Sequence, residues 1–430
     1  MSRDVRPRLA VCAIAMVLIL VGCDGASSPS DSTSASPTAS TTAPEVTESP
    51  RAMEPVKPTR EPVKPTRKPR LHAASRESTA QTTARRVLRQ LSPDEQIGQL
   101  LLVGVPATGT SMNVLRQLAG RHVGGIMLTG RSELGAKATG RIVRKAQAEL
   151  VRHQMPAVRL LVATDQEGGA VQVLSGPGFD DPPAAVEQGK WTEGRLTSRA
   201  RRWGSQLQAS GVNLNLAPVV DIVPRSPDPS TNSPIGKFNR QLGGSAGTVR
   251  SHATAFACGM RAAGVATAVK HFPGLGYVRG NTDYSAQVVD RTIGPRDSGL
   301  RVFTQVAKAC GSVIMMSTAV YERLDPRRPA AFSRAVTTTL LRDRLGFDGV
   351  VVSDDLGSAL QIQRWTPGER ARMLLSAGGD LVLTVQPDDV PEMFVTLAAA
   401  VRASGSMRAR VRESALRVLT LKAQLGLFEG

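Results

Sequence analysis

The chain has 430 residues, 41% hydrophobic and only 3% aromatic, with a formal net charge of +18. That length allows one large domain or two small ones. Four cysteines make no disulfide framework and show no zinc or iron–sulfur spacing, and the absence of interleaved aromatic and basic residues argues against nucleic-acid binding.

In chain order, Arg3, Arg6 and Arg8 form a basic start, an apolar run from Leu9 to Val21 follows, and Leu20-Val21-Gly22-Cys23 closes it. This is the layout of a bacterial signal peptide ending in a lipobox, and the run is short for a membrane span. The expectation is cleavage after residue 22, lipidation of the Cys23 thiol, and a domain anchored to the membrane on the extracellular face. An ordinary secretory signal with an incidental cysteine is the alternative. Residues 23–85 read as a disordered linker, rich in Ser, Thr and Pro, with a tandem EPVKPTR at 54–67. Residues 51–89 hold eleven Lys or Arg against Glu54, Glu61 and Glu77, so much of the charge excess sits outside any core. A basic tether suits an anionic membrane surface or anionic wall polymers. An Arg-rich composition without a specific partner reads equally well.

From residue 86 to 430 short apolar runs alternate with helix-length segments. Strands are expected at Leu101–Val105, Gly124–Leu128, Arg159–Thr164, Leu214–Val219, Ala266–His271, Val313–Ser317, Gly349–Ser353 and Leu381–Thr384. Near-continuous apolar runs are typical of strands buried on both faces. Helices are expected at Thr248–Ala263 and at Pro367–Ala377, the latter with Thr366 as N-cap. Eight strands with intervening helices predict an α/β fold, a (β/α)8 TIM-type barrel. A doubly wound sheet is the runner-up, but Asp165-Gln166-Glu167-Gly168-Gly169 is acidic where a phosphate cradle would lie. Cys258 and Cys310 either pair or remain two buried thiols.

In a barrel the site lies at the C-terminal ends of the strands. Collected there are Asp165 and Glu167, Asp221, Lys270 and His271, Ser317, and Asp354 with Asp355. Acids with one His and one Lys, and no repeated Cys/His set, describe a carboxylate-based hydrolytic site with no metal. Asp355 opens the next loop and reads as a cap.

ATDQEGGAVQVL, NLNLAPVVDI, SPIGKFNRQLG, VKHFPGLG and GVVVSDDLG occur in the order and near the spacing of glycoside hydrolase family 3. The 91–425 region resembles its single-domain β-N-acetylglucosaminidase branch, lipoprotein type. The resemblance implies hydrolysis of terminal N-acetylglucosamine from a carbohydrate substrate, with retention and without a cofactor. It makes Asp354 the nucleophile and Asp165, Arg240, Lys270 and His271 the residues that hold the sugar hydroxyls. Two departures stand out. The branch carries Asp-Ser-His where this chain has Asn281-Thr282-Asp283, and Leu275 replaces a second His. Asp283 is therefore expected to be the acid/base, positioned by Asn281, and hydrolysis is expected over phosphorolysis. Relatives also carry Arg at the places of Ala170 and Val173, and a nearby Arg such as Arg240 is expected to compensate. The alternatives are a β-glucosidase-like member and a glycan-binding lipoprotein with a decayed site.

Overall fold

The computed structural model describes residues 78–152, 158–226 and 228–428. The signal peptide, Cys23 and most of the linker lie outside the described residues. Eight parallel strands form one sheet: β1 (Leu101–Pro106), β2 (Gly125–Thr129), β3 (Leu161–Thr164), β4 (Leu214–Asn215), β5 (Ala266–Phe272), β6 (Val313–Met316), β7 (Val351–Ser353) and β8 (Val382–Thr384). Each pairs with its neighbour in sequence, β8 pairs with β1, and a bridge between Val352 and Leu381 brings β7 onto β8. The sheet therefore curls back on itself as the predicted barrel.

Every strand lies within a few residues of its expected place. The largest difference is β4, which ends at Asn215 instead of running to Val219. Leu216-Ala217-Pro218 follows, and Pro218 has no N–H to give to a ladder. Helices separate the strands: α1 (Met112–Ala119), α2 (Gly135–Val151), α3 (Glu193–Ala209), α4 (Ala246–Ala262), α5 (Gly299–Cys310), α6 (Ala335–Arg344, π-wound), α7 (Pro367–Ala377), then α8 (Val390–Ala403) and α9 (Gly405–Gln424). The start of α7 has a mechanism. Glu369 N–H donates to Thr366 Oγ1, and the Glu369 carboxylate accepts from Thr366 N–H at 2.9 Å. A further helix, Thr79–Leu88, precedes β1, capped by Ser78 and burying Ala84, Val87 and Leu88. The linker boundary expected at residue 85 falls inside that helix. No helix among the described residues is long and apolar enough to cross a membrane.

Helix packing around the barrel supplies the core. Phe272 of β5 meets Phe303 of α5 edge-on with centroids 5.3 Å apart. A disulfide between Cys258 and Cys310 ties α4 to α5, which decides between the two readings of those residues.

The N-terminal end of the barrel is sealed by charge. Asp380, wholly inaccessible, precedes β8. Its Oδ2 accepts from Arg342 Nη2 at 2.5 Å and Val351 N at 2.9 Å, and its Oδ1 from Arg410 at 2.5 Å, Ser414 at 2.9 Å and Arg417 at 3.2 Å. A cavity of about 470 Å³ lies beside this cluster, lined by Arg334, Arg342, Arg410 and Arg417 with Asp343 and Glu413. Nearby in sequence, Lys422 of α9 is fully buried, and its Nζ donates to Gln99 Oε1 at 2.6 Å. Burial lowers its pKa to about 7.

Candidate active site

The C-terminal ends of the strands carry a second polar cluster. After β3 the chain makes Asp165-Gln166-Glu167 and turns at Gly168, whose φ of +101° and approach to Pro183 O leave no room for a Cβ. Residues 165 and 167 share a side of this extended segment. Lys270, at the end of β5, bridges them, with Nζ 2.6 Å from Asp165 Oδ1 and 2.7 Å from Glu167 Oε1. Arg240 grips Glu167 bidentately at 2.7 and 2.9 Å and donates its Nη1 to Pro234 O at 2.8 Å. Burial opposes ionisation of Glu167, but the charges and hydrogen bonds of Arg240 and Lys270 outweigh it and lower its pKa to about 2.

Arg240 spends three of its five N–H groups on Glu167 and Pro234 and keeps two, so it is first a partner of Glu167. Glu167, collected with Asp165 at the strand end, has no role of its own in the sequence reading, and here it is the shared partner of both cations. Its signal was available: it stands two positions from Asp165 at a strand end, where side chains alternate. Of the two positions at which the resemblance implies Arg, Ala170 is exposed and Val173 is buried. Arg131 donates to Ala170 O at 2.8 Å and to Gln172 O at 3.4 Å, so a guanidinium from the loop after β2 does reach this turn.

His271 follows Lys270. Its Nδ1 lies 2.7 Å from Asp221 Oδ2, and Asp221 Oδ1 accepts from His271 N at 3.1 Å and from Leu275 N at 2.7 Å. A carboxylate at Nδ1 assigns the hydrogen to that nitrogen, and Nε2 has no partner among the described residues. Asp221 is inaccessible, and it fixes both the imidazole and the turn after β5. Leu275 is buried in that turn. Ser317 is also structural: its hydroxyl accepts from Ala319 N at 3.0 Å.

Asp354 stands at the end of β7, half-buried. Its Oδ1 accepts the Asp355 amide at 2.9 Å, and among the described residues no cation is paired with it. Asp355 behaves as the cap the sequence suggested, accepting from Gly357, Ser358 and Val385 amides at 2.8 to 2.9 Å.

The loop after β5 carries Asp283. Desolvation, then the Asp354 charge, raise the pKa of its carboxyl to about 6. His271 and Arg240 oppose that rise and Asp355 adds to it, so Asp283 lies within electrostatic reach of both sides of the mouth. The residue is nonetheless exposed to solvent. Asn281 Oδ1 accepts the Asp283 backbone N–H at 2.9 Å, so it orders the turn and not the carboxyl directly. The loop is stitched down at both ends. Buried Asn232 donates to Leu275 O at 2.7 Å and Val278 O at 2.8 Å, and Gln361 brackets Val288 with bonds of 2.8 and 3.2 Å.

Thus Asp165, Lys270, Arg240, His271, Asp283 and Asp354 converge at one mouth, with Glu167 and Asp221 beneath them. Among the described residues, no group of three His, Cys, Asp or Glu is arranged to hold a metal ion.

Comparison with known proteins agrees with this geometry. Residues 92–421 match the model of the glycosyl hydrolase family 3 N-terminal domain. A crystal structure of a β-N-acetylhexosaminidase from Beutenbergia cavernae superposes with a TM-score of 0.75 at 46% identity, covering 77% of this chain and 98% of that one. The β-hexosaminidase LpqI of Mycobacterium tuberculosis is 33% identical over 342 residues, 77% of this chain and 83% of the relative. A family 3 β-N-acetylglucosaminidase from Paenibacillus has a TM-score of 0.71 at 29% identity, covering 79% of this chain and 64% of that one.

Proposed function

The chain belongs to glycoside hydrolase family 3, and from that premise we propose that it is a retaining, exo-acting β-N-acetylhexosaminidase that removes terminal N-acetylglucosamine from cell-wall-derived glycans or muropeptides. The observation that carries this reading is the pair of carboxyls at the barrel mouth. One, Asp354, has no cation on it among the described residues and is available to bond carbon. The other, Asp283, has a pKa of about 6 and is available to carry a proton.

In the first step an Asp354 oxygen attacks C1 of the sugar. The C1–O bond to the leaving group breaks, and the Asp283 proton passes to the departing oxygen. In the second, Asp283 as carboxylate takes a proton from water, the water oxygen bonds to C1, and the Asp354–C1 ester breaks. Asp165, the remaining N–H groups of Lys270 and Arg240, and His271 Nε2 surround the ring and hold its hydroxyls. Glu167 keeps Lys270 and Arg240 charged and aimed. An anionic Asp283 in the second step repels phosphate, so water is the acceptor; a sugar 1-phosphate product would refute that.

A chromogenic N-acetylglucosaminide, with the glucoside as control, tests the activity and the sugar together. A 2-fluoro glycosyl reagent followed by peptide mapping tests the nucleophile, and label on a peptide lacking Asp354 overturns the assignment.

The location is proposed on the sequence: a Cys23-linked lipid anchor holds the domain at the outer face of the membrane, where wall fragments occur. The Cys258–Cys310 disulfide suits an oxidising compartment. Phase partitioning into detergent that persists in Cys23→Ser would defeat the anchor.

A further inference from the structure

Among the described residues five large hydrophobic side chains are exposed: Leu134, Tyr277, Tyr284, Leu360 and Val395. Four of them lie on loops that leave the C-terminal ends of barrel strands, Leu134 after β2, Tyr277 and Tyr284 after β5, and Leu360 after β7. Singly scattered exposed apolar residues are ordinary, but two of these, Tyr284 and Leu360, are brought together beside Asp283.

Tyr284 is the most exposed of the five, at 74%, and it follows Asp283 directly. Its amide closes the Asn281 turn by donating to Asn281 O at 3.1 Å. Leu360 comes to the same place from a different loop. Its N–H donates to Asp283 O at 3.3 Å, and the next amide, Gln361, donates to Thr282 O at 3.1 Å. The backbone that carries the acid/base carboxyl is therefore flanked by two outward apolar side chains. Among the described residues the Tyr284 hydroxyl has no hydrogen-bond partner and its ring stacks on no other ring.

The proton donor has to touch the glycosidic oxygen. The ring being cleaved lies on the Asp354 side of that oxygen. Whatever is bonded to the other side must lie against the loop that bears Asp283, toward solvent. A pyranose presents an apolar face of C–H groups there, and an aromatic ring is a natural surface for it. We infer that Tyr284, backed by Leu360, is a platform for the first sugar ring of the leaving group. The inference rests on the hydrolase reading above and deepens it: the enzyme is built to release its terminal sugar from another pyranose in preference to a small alcohol.

The test compares two substrates, the β-1,4-linked disaccharide of N-acetylglucosamine and the methyl β-glycoside of N-acetylglucosamine. The readout is the ratio of their kcat/KM values. In Tyr284→Ala this ratio is expected to fall about five- to tenfold, mostly through KM for the disaccharide. Tyr284→Phe is expected to restore the ratio to within about twofold, because the ring and not the hydroxyl is the platform. Leu360→Ser is expected to lower it about threefold. A ratio unmoved in Tyr284→Ala, including one in which both substrates slow equally, overturns the platform and makes Tyr284 a support for the Asp283 turn. A ratio that Tyr284→Phe fails to restore also overturns it. If the unaltered protein cleaves neither substrate, the hydrolase reading fails and the platform falls with it.

Discussion

The two ends of the barrel carry charge clusters built from the same residue types but finished differently. At the N-terminal end Asp380 has five donors on one inaccessible carboxylate, three of them from arginines. At the C-terminal end Glu167 is similarly enclosed by Arg240 and Lys270, yet it supports a second tier that is not enclosed. Asp354 holds only the amide of its neighbour, and Asp283 faces solvent with a raised pKa. A buried charge whose bonding capacity is filled can only hold structure. A charge with capacity left over, exposed to an entering molecule, can do chemistry.

Substitutions at the two ends sharpen this contrast. The largest effects separate activity from stability. Asp354→Ala is expected to lower kcat by on the order of 10⁴-fold while the melting temperature stays within a degree or two. Asp380→Ala is expected to do the opposite, costing about 3–5 kcal/mol in chemical denaturation because three guanidinium groups lose their common partner. Equal behaviour of the two variants would erase the distinction.

Next comes Asp283. Asp283→Ala is expected to slow aryl glycosides with poor leaving groups by about 10²- to 10⁴-fold and those with good leaving groups far less. The first step needs Asp283 protonated. For poor leaving groups kcat/KM is therefore expected to fall as pH rises through about 6, and Asp283→Asn removes that limb. A limb that survives assigns the proton to another group.

Glu167→Gln is expected to weaken kcat/KM by about 10- to 100-fold, as a lost support of two substrate-binding cations. It leaves Lys270 with Asp165 alone and Arg240 without its carboxylate.

The smallest effect belongs to Lys422, the exception at the quiet end, a buried cation with a single neutral partner. Its folded-state pKa of about 7 lies below the unfolded value. Between those values the unfolded chain holds a proton that the folded chain lacks, so stability rises with pH across that window and is depressed by a constant amount below it. Lys422→Met is expected to raise the melting temperature by a few degrees at pH 6.5 and to lose that advantage near pH 10; thermal scans at the two pH values check it.

The barrel is readable in the chain because strands buried on both faces leave unbroken apolar runs, and because Thr366-Pro367 announces a helix by a local mechanism. Pro218 trimmed β4 for an equally local reason. The site is less readable where it depends on distant partners. Arg240 reaches Glu167 across 73 residues and His271 reaches Asp221 across 50. A reading by strand ends collects Glu167, Asp221 and His271, and the family resemblance adds Arg240, but neither says which carboxylate takes which cation. The Arg240–Glu167 pair is therefore visible only once the chain is folded. Asn232 and Gln361 carry no chemical signature at all. Their part in pinning the loop after β5 arises only when the chain is folded.

The covalent tie between Cys258 and Cys310 encloses 52 residues of separation, and within that circuit lie β5, Lys270, His271 and the whole loop bearing Asp283. A protease that cuts the exposed stretch around Tyr284 would open the ring without releasing either piece. The nicked protein would run at full length on a gel until a reductant was added, and only then separate into two fragments.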